Sequence, residues 1–220
     1  MRQRNVKNCQ ELLDTFDRYE HAPETKKGMW KASYKEVHLE IGIGKGQYIL
    51  NKALQNPDIL FIGIELNKGV VALATKKIRR LEEEANATAY NLRLFAYDAI
   101  KLSDVFEKGE IGRIYLNFSD PWPKKKHEKR RLTSRAFLNV YKELLKSTGV
   151  IEQKTDNRSL FEYSLMSYNQ NKLEIEELSL NVYSDIASGK IIGNVPTEYE
   201  EKFRDKGPIY KACVRFGGEQ

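Results

Sequence analysis

Short runs of apolar residues alternate along the chain with longer stretches in which apolar residues recur every three or four positions. Four of the short runs are rich in β-branched and aromatic residues and end in a carboxylate; they span residues 37–40, 60–65, 92–98 and 113–120. Apolar runs of this kind are typical of strands buried on both faces of a parallel sheet. The longer stretches, such as residues 70–81, place their apolar residues on one face of a helix.

The second half of the chain continues this alternation. Residues 137–145 have helical spacing, with Thr133 or Ser134 as the predicted N-cap and Gly149 as the predicted end of the helix. Further strands are predicted at residues 150–155, 173–182 and 210–216, and a further helix at residues 160–168. Alternating strands and helices predict a doubly wound, Rossmann-like α/β sheet that is mostly parallel, with an antiparallel strand at the C-terminus.

Length and composition limit the class of protein. We treat the polar, less periodic residues 1–33 as an N-terminal extension and residues 34–220 as a single domain. With 40% hydrophobic and 31% charged residues the chain is not a disordered one, and no apolar run approaches the ~18 residues that span a bilayer. Residues 1–5 are basic but no apolar h-region follows them, so we expect no secretory signal. Because Cys9 and Cys213 form no metal or redox motif, we expect a reduced, cytoplasmic protein. The lack of a bilayer-spanning apolar run predicts no membrane contact.

Positive charge is concentrated in one place. The net charge is +6, and residues 124–131 alone hold six basic residues and one glutamate, a local charge of +5. A focused excess indicates phosphate binding, so we predict contact with a nucleic-acid backbone; a solvated helix start is the alternative. His127 lies inside this run without a second histidine or cysteine nearby, and we predict no metal site in the chain.

Acidic residues end all four of the predicted parallel strands. They are Glu40, Glu65, Asp98 and Asp120. Ligands of open α/β sheets bind at the carboxyl ends of the strands, and four carboxylates at that edge favour a ligand with hydroxyl groups and positive charge.

A glycine-rich loop with Gly42 and Gly44 follows the first of these strands. Gln47 stands where the dinucleotide fingerprint requires its third glycine, and the carboxylate of Glu40 before the loop would repel a pyrophosphate. Glu65 lies about 20 residues further on, where an acid accepts hydrogen bonds from a ribose diol. A nucleoside that lacks phosphate and carries a cation meets these demands, and S-adenosylmethionine is such a molecule. A glycine-rich turn with incidental acids is the alternative.

The loop after the fourth predicted strand carries an acid that is followed by a proline. Pro121 holds Asp120 extended, so the loop can present a carboxylate and the ring of Trp122 to a flat base. It loosely resembles the Asp/Asn-Pro-Pro-Tyr loop of methyltransferases that act on exocyclic amino groups, but the second proline is replaced by tryptophan. A buried structural role for Trp122 is the alternative.

Several motifs together resemble one family, the bacterial tRNA (guanine-N(7))-methyltransferases, which are class I methyltransferases that modify the guanosine at position 46 in the variable loop of tRNA. The resemblance extends from residues 1–5 almost to the C-terminus. It rests on residues 39–46 (LEIGIGKG), 63–65 (GIE), 116–124 (LNFSDPWPK), 127–133 (HEKRRLT), 154–157 (KTDN), 160–162 (LFE) and 197–203 (TEYEEKF). The chain lacks the Lys-Pro-Trp that usually follows Asn5 in this family.

The resemblance implies a role for each matching position. The cofactor S-adenosylmethionine would contact the glycine loop and the acids Glu40, Glu65, Asp98 and Asp120, and Asp120 would also be the catalytic residue. The substrate would contact Lys124, Asp156, Thr197, Glu198, Tyr199 and Glu200. RNA would contact Lys126, His127, Glu128, Lys129, Arg130 and Arg131.

The implied reaction needs alignment more than proton transfer. Ring nitrogen seven of guanine carries a lone pair and no proton, so its in-line attack on the sulfonium methyl group needs no general base and leaves S-adenosylhomocysteine. The protein would align the reactants and face guanine's N–H donors with carboxylates, for which Asp120, Asp156 and Glu200 are the candidates. Acceptors there would reject adenine.

Two other functions are compatible with parts of the sequence. An exocyclic-amino methyltransferase acting on DNA or RNA is suggested by Asp120 and Pro121, although the second proline and the following aromatic residue are missing. A noncatalytic RNA-binding module is the other possibility, against which the retention of every acid argues. We expect tRNA as the partner, no membrane, and a monomer or homodimer.

Overall fold

The structure is a computed structural model that describes residues 6–191 and 193–217. Within these residues, one sheet contains the strands β1 (Glu36–Ile41), β2 (Ile59–Glu65), β3 (Leu92–Ala96), β4 (Ile111–Asn117), β5 (Leu145–Thr155), β6 (Leu173–Ser179) and β7 (Tyr210–Phe216). The α-helices are α1 (Cys9–Asp14), α2 (Gln47–Gln55), α3 (Lys68–Ala85), α4 (Arg135–Leu144), α5 (Arg158–Gln170), α6 (Val182–Ala187) and α7 (Glu198–Phe203). Short 3₁₀ helices span Pro23–Lys26, Ala99–Asp104 and Lys125–Arg130.

The strand order is β3-β2-β1-β4-β5-β7-β6, with β1 to β5 parallel and β7 antiparallel to both of its neighbours. This confirms the predicted mostly parallel α/β sheet with an antiparallel C-terminal strand. The register places Glu40 beside Gly63 of β2 and Tyr115 of β4, and Asn117 beside Lys154 of β5. The carboxyl ends of β1 to β5 therefore meet at one edge of the sheet.

Local sequence explains where the helix α3 begins and which face it buries. Asn67 is its N-cap, and its Oδ1 accepts from the backbone amides of Gly69 and Val70, at 2.8 and 3.3 Å. The apolar residues at helical spacing, among them Val71 and Ile78, are fully buried against the sheet.

The end of α4 differs from the prediction. The helix ends at Leu144, because Leu145 takes an extended conformation and begins β5 by pairing with Ile111. Gly149 lies inside β5 and does not end the helix. A Cβ atom at this position would come within 2.8 Å of the Leu145 side chain, so glycine allows that side chain to lie close to the backbone. Ser134 occupies the predicted N-cap position, but its hydroxyl donates to the carbonyl of Lys129 and makes no capping bond.

The described part of the N-terminal segment, residues 6–33, packs against the domain. Trp30 is buried in the main core, where its ring stacks on Phe95 at 5.8 Å and its Nε1 donates to the Val105 carbonyl at 3.0 Å. Arg18 forms a buried, bidentate ion pair with Glu82 of α3, in which Nη1 donates to Oε1 at 2.6 Å and Nη2 donates to Oε2 at 2.8 Å. The boundary at residue 33 stays a prediction, and the matching residues 1–5 lie outside the described part of the chain.

Candidate active site

A cavity of about 670 Å³ opens at the carboxyl ends of the parallel strands. Of the residues predicted to form the site, its lining includes Gly42, Glu65, Asp98, Asp120, Lys129 and Arg130. Asn117, Phe118 and Trp122 also line it, together with the exposed apolar side chains of Leu66 and Ile100. The strand ends and the basic 3₁₀ helix thus border one space.

Glu40 is only 2% exposed and does not line the cavity itself, but it contacts Asn117, which does. Asn117 Nδ2 donates to Glu40 Oε1 at 2.9 Å, whereas Glu40 Oε2 and Asn117 Oδ1 are buried without a partner among the described residues. Burial raises the pKa of Glu40 to about 7 and the charge of Glu65 adds to the rise, while Asn117 and the ammonium of Lys154 act in the opposite direction. The pair therefore holds two acceptors without a donor among the described residues, and one of them, Asn117 Oδ1, belongs to a residue that lines the cavity.

Glu65 and Asp98 reach the cavity from two adjacent strand ends. Glu65 Oε1 accepts from the backbone amide of Leu66 at 3.0 Å. Burial raises the pKa of Glu65, partly offset by backbone amides that include Gly44. Asp98 lies two residues beyond β3 and caps the next 3₁₀ helix through the amide of Ile100, at 3.2 Å.

Backbone conformation explains why glycine occupies two positions of the glycine loop. Gly42 and Gly44 have φ values of +83° and +52°, in the left-handed region that disfavours side chains. A Cβ atom at either position would meet nothing within 4 Å. Glycine is therefore required here for the path of the chain and not to avoid a clash.

The sequence pattern predicted that Asp120 ends the fourth strand. In the structure it lies three residues beyond the end of β4. Phe118 and Trp122 have φ values of 49° and 41° and turn the loop sharply on either side of Asp120, which is exposed. The guanidinium of Arg131 donates to the carbonyls of Pro121 and Trp122, both at 3.1 Å. The loop is thus held in its turned shape by a residue predicted to contact RNA.

The basic run projects into solvent beside the cavity. Lys124, Lys125, Lys126, Lys129 and Arg130 are exposed, and none of them forms an ion pair with any described residue. The guanidinium of Arg130 lies 4.9 Å from the Trp122 ring centroid, and the half-buried His127 packs edge-on against the same ring. Glu128, also half-buried, lies beside Tyr163.

A second group of predicted residues surrounds Tyr199, on the far side of Phe118. The hydroxyl of Tyr199 donates to Asp156 Oδ2 at 2.9 Å, just beyond the end of β5. Its ring lies 5.0 Å from that of Phe118 and is stacked on Phe203 at 4.3 Å. Phe118 therefore connects the cavity with the residues that the family resemblance assigns to the substrate.

Glu200 occupies a different environment from the one we expected. It is fully buried, and its Oε2 accepts from Lys154 Nζ at 2.6 Å in an ion pair that is buried on both sides. Its Oε1 accepts from Tyr183 and Asn194, at 3.0 and 2.6 Å. A carboxylate with this many donors is not free to face a guanine, so the geometry supports a structural role.

Thr197 and Glu198 also act within the protein. Thr197 is the N-cap of α7 and forms a capping box with Glu200. Glu198 accepts from Lys45 at 2.9 Å and from Lys202 at 2.9 Å, and it also pairs with Lys77. The hydrogen bond from Lys77 and then that from Lys45 lower the pKa of Glu198 to about 2.

Sequence reasoning missed three residues of this region: Asn117, Phe118 and Lys154. All three lie within motifs that were recognised, but their role is visible only in the pairing of β4 with β5 and in the turn after β4. Among residues 6–191 and 193–217, no group of three or more potential ligands is arranged to hold a metal ion. In the same residues, no helix has both the length and the apolar character needed to cross a membrane.

Comparison with known proteins identifies the family. Residues 34–212 match the model of a family described as "Putative methyltransferase". The chain is 49% identical over 198 residues to a tRNA (guanine-N(7)-)-methyltransferase of Bacillus velezensis, with 88% of this chain and 87% of that protein covered. An enzyme of the same name from Streptococcus pneumoniae is 44% identical over 221 residues, with 98% of this chain and 100% of that protein covered.

Solved structures share the fold at low sequence identity. The 16S rRNA methyltransferase KamB superimposes with a TM-score of 0.62 at 14% identity, over 87% of this chain and 92% of that one. A 16S rRNA (adenine(1408)-N(1))-methyltransferase from Catenulisporales acidiphilia superimposes with a TM-score of 0.59 at 11% identity, over 90% of this chain and 94% of that one. Sequence identity across most of the chain, the family match and this shared fold agree, and the chain belongs to the family of the tRNA (guanine-N(7)-)-methyltransferases and is a methyltransferase.

Proposed function

We propose that the protein is a tRNA (guanine(46)-N(7))-methyltransferase that uses S-adenosylmethionine and releases S-adenosylhomocysteine. The observation that carries the proposal is the position of the acid-lined cavity beside a run of five exposed cationic side chains, two of which line it and none of which forms an ion pair with a described residue. A cavity bordered in this way suits a small cationic nucleoside on one side and a phosphate backbone on the other. The relatives named above act on tRNA guanine by name, which supports the same assignment here.

The residues at the strand ends fit S-adenosylmethionine, which supplies an electrophilic methyl group when bound. The buried Glu40 Oε2 has no donor among the residues that the structure describes, so a cationic or N–H-bearing ligand would satisfy it. Glu65 and Asp98 offer carboxylates to ribose hydroxyls, and Leu66 and Ile100 offer apolar surface to a flat ring. No metal is part of the proposal.

Asp120 and Asp156 are the proposed contacts to guanine. Asp120 is exposed at the cavity and supplies a negative charge where the purine becomes cationic. Asp156 is held by the hydroxyl of Tyr199 through one oxygen, which leaves its other oxygen for a donor on the Watson–Crick edge of the base. Because ring nitrogen seven has no proton to lose, these carboxylates would orient and stabilise and would not act as bases.

The exposed part of residues 124–131 is the proposed RNA contact. Lys124, Lys125, Lys126, Lys129 and Arg130 would neutralise phosphates. Arg131 would act indirectly, by bracing the loop that carries Asp120. The proposal further includes a cytoplasmic location and a monomer or homodimer.

The test is methylation of defined tRNA transcripts. Wild-type protein and S-adenosylmethionine should place 7-methylguanosine at position 46 of an unmodified transcript, detected by nucleoside mass spectrometry and by chain cleavage at the modified base. A transcript with adenosine at position 46 should remain unmodified. Asp120→Asn should be slow, whereas Asp58→Asn, which changes an exposed acid at the opposite edge of the sheet, should match the wild type. Methylation at another base or on an exocyclic amino group would refute the proposal.

A further inference from the structure

The helix α7 is attached to the rest of the molecule by four consecutive side chains, each of which contacts a different partner. Tyr199 contacts Asp156, and Glu200 pairs with Lys154, so two of the four attach to the end of β5. The other two, Glu198 and Glu201, attach to the glycine loop and to the beginning of α2. The helix thus connects the region proposed for the substrate with the region proposed for the cofactor.

Glu198 is the centre of the second attachment. Lys45, inside the glycine loop, donates to Glu198 Oε1 at 2.9 Å, and Lys77 of α3 pairs with Oε2. Gln47, the first residue of α2, donates to Glu201 at 3.1 Å and accepts from Lys77 at 3.0 Å. The contacts of Lys45 with Glu198 and of Gln47 with Glu201 join residues that are 153 and 154 positions apart in sequence.

This arrangement changes the role expected for Glu198. Its carboxylate already accepts from three ammonium groups, and its side chain is 22% exposed. A carboxylate engaged in this way is a poor partner for a neutral base, because a new donor would have to displace a charged one.

We propose that Glu198 is a positioning residue that links the glycine loop to α7, so that cofactor and tRNA each strengthen the binding of the other. The inference rests on the proposed function, since it assigns the cofactor to the loop and the substrate to Tyr199 and Asp156. A ligand that holds the loop in one place also holds Lys45 and Gln47. Through Glu198 and Glu201 it fixes α7, and with it Tyr199, before the tRNA arrives.

Two lysines provide a matched comparison. Lys45 and Lys202 both donate to Glu198 Oε1 at 2.9 Å, and their side chains are 63% and 61% exposed. They carry the same charge but differ in what they connect, because Lys45 belongs to the glycine loop whereas Lys202 belongs to α7 itself. Removal of Lys45 breaks the direct link between the glycine loop and Glu198 and leaves the contacts of Gln47 with Glu201 and Lys77, whereas removal of Lys202 leaves all of these contacts in place.

The experiment measures the dissociation constant of full-length tRNA by filter binding, with and without saturating S-adenosylhomocysteine, at one fixed salt concentration. In the wild type the ligand should tighten tRNA binding about tenfold, within the range typical of coupled sites. Lys45→Gln and Glu198→Gln should reduce this factor to less than twofold. Lys202→Gln should retain it. By linkage, calorimetry of S-adenosylhomocysteine binding with and without tRNA should return the same factors.

Three results would overturn the inference. The first is that S-adenosylhomocysteine does not change the tRNA affinity of the wild type, and the second is that it tightens tRNA binding by Lys45→Gln as much as by the wild type. The third is that Lys45→Gln and Lys202→Gln reduce this tightening equally. The last would mean that the lysines only stabilise α7. Because both lysines are exposed, both variants should unfold at the wild-type denaturant midpoint, which separates coupling from folding. Methylation by the wild type, measured in parallel, separates the two proposals: activity without coupling refutes only this inference, and absence of tRNA binding and methylation refutes the proposed function as well.

Discussion

The buried carboxyl of Glu40 should lower the stability of the ligand-free protein at neutral and alkaline pH, and Glu40→Gln should remove that effect. The pKa of Glu40 rises from its ordinary value of 4.5 to about 7 on folding, chiefly because the group is buried. Between these two values the folded state binds more protons than the unfolded state, so stability falls as the pH rises through this window. The full effect is present above pH 7 and absent below about pH 4.5.

The size of the effect follows from the same shift. At 1.36 kcal/mol for each pKa unit, a rise from 4.5 to about 7 corresponds to about 3 kcal/mol. The glutamine amide retains an acceptor for Asn117 Nδ2 and presents N–H groups beside Asn117 Oδ1, which is buried without a donor. We expect Glu40→Gln to be more stable than the wild type by roughly 1–3 kcal/mol at pH 8, with the difference absent at pH 4.5.

Urea denaturation at several pH values, without ligand, measures the difference. The same titration with S-adenosylhomocysteine tests the proposed role of Glu40, because a ligand at a hundred times its dissociation constant stabilises a protein by about 2.7 kcal/mol. The wild type should show this gain, and the more stable variant should show much less of it. A variant that is less stable at pH 8, or whose advantage does not change between pH 8 and pH 4.5, would refute the reasoning.

Three further predictions concern ligand binding and catalysis. Glu65→Ala should weaken S-adenosylmethionine binding by about 1–3 kcal/mol, the value of a charge-assisted hydrogen bond, and should leave tRNA binding in the absence of cofactor nearly unchanged; unchanged cofactor affinity in calorimetry of the folded variant would remove Glu65 from the site. Replacing Lys125, Lys126, Lys129 and Arg130 by glutamine should make the slope of log affinity against log salt shallower by roughly 0.7–0.9 for each phosphate that the variant no longer neutralises. An unchanged slope in filter binding would show that these side chains only face solvent. Asp120→Asn should slow single-turnover methyl transfer about 10²–10³-fold, with rate profiles of the same shape as in the wild type between pH 5 and 8. A rising limb present only in the wild type would identify Asp120 as a general base.

The fold could be predicted in most of its elements because the period of the apolar residues changes between strands and helices. The last strand, at residues 210–216, has the predicted bounds, whereas the predicted strand at residues 173–182 ends at Ser179, and the short helices α1, α6 and α7 were not predicted. The end of α4 could not be predicted, because Gly149 in a sequence does not distinguish a helix end from a close approach within a strand. The structure of the N-terminal segment could not be predicted from periodicity, because this segment packs through scattered anchors such as Trp30 and Arg18.

Prediction of the site depended on how far each residue lies from the sheet. Glu65 is the last residue of β2 and Asp98 lies two residues beyond β3, so the apolar pattern that sets the strands also places these two acids. Glu200 could not be placed in this way, because only the tertiary contact with Lys154 reveals that its carboxylate is buried and paired. The same holds for Glu198, whose three lysine partners come from the glycine loop, from α3 and from α7 itself.

The two tryptophans of the chain lie in environments that should make its intrinsic fluorescence separable into two signals. Trp30 is buried between Phe95 and Phe106 and hydrogen-bonded within the core, so its emission should change only on unfolding. Trp122 lies at the cavity against the guanidinium of Arg130, where a ligand or a phosphate would disturb it. In Trp30→Phe, the remaining tryptophan fluorescence should therefore report ligand binding at the cavity. In Trp122→Phe, the remaining fluorescence should report folding alone.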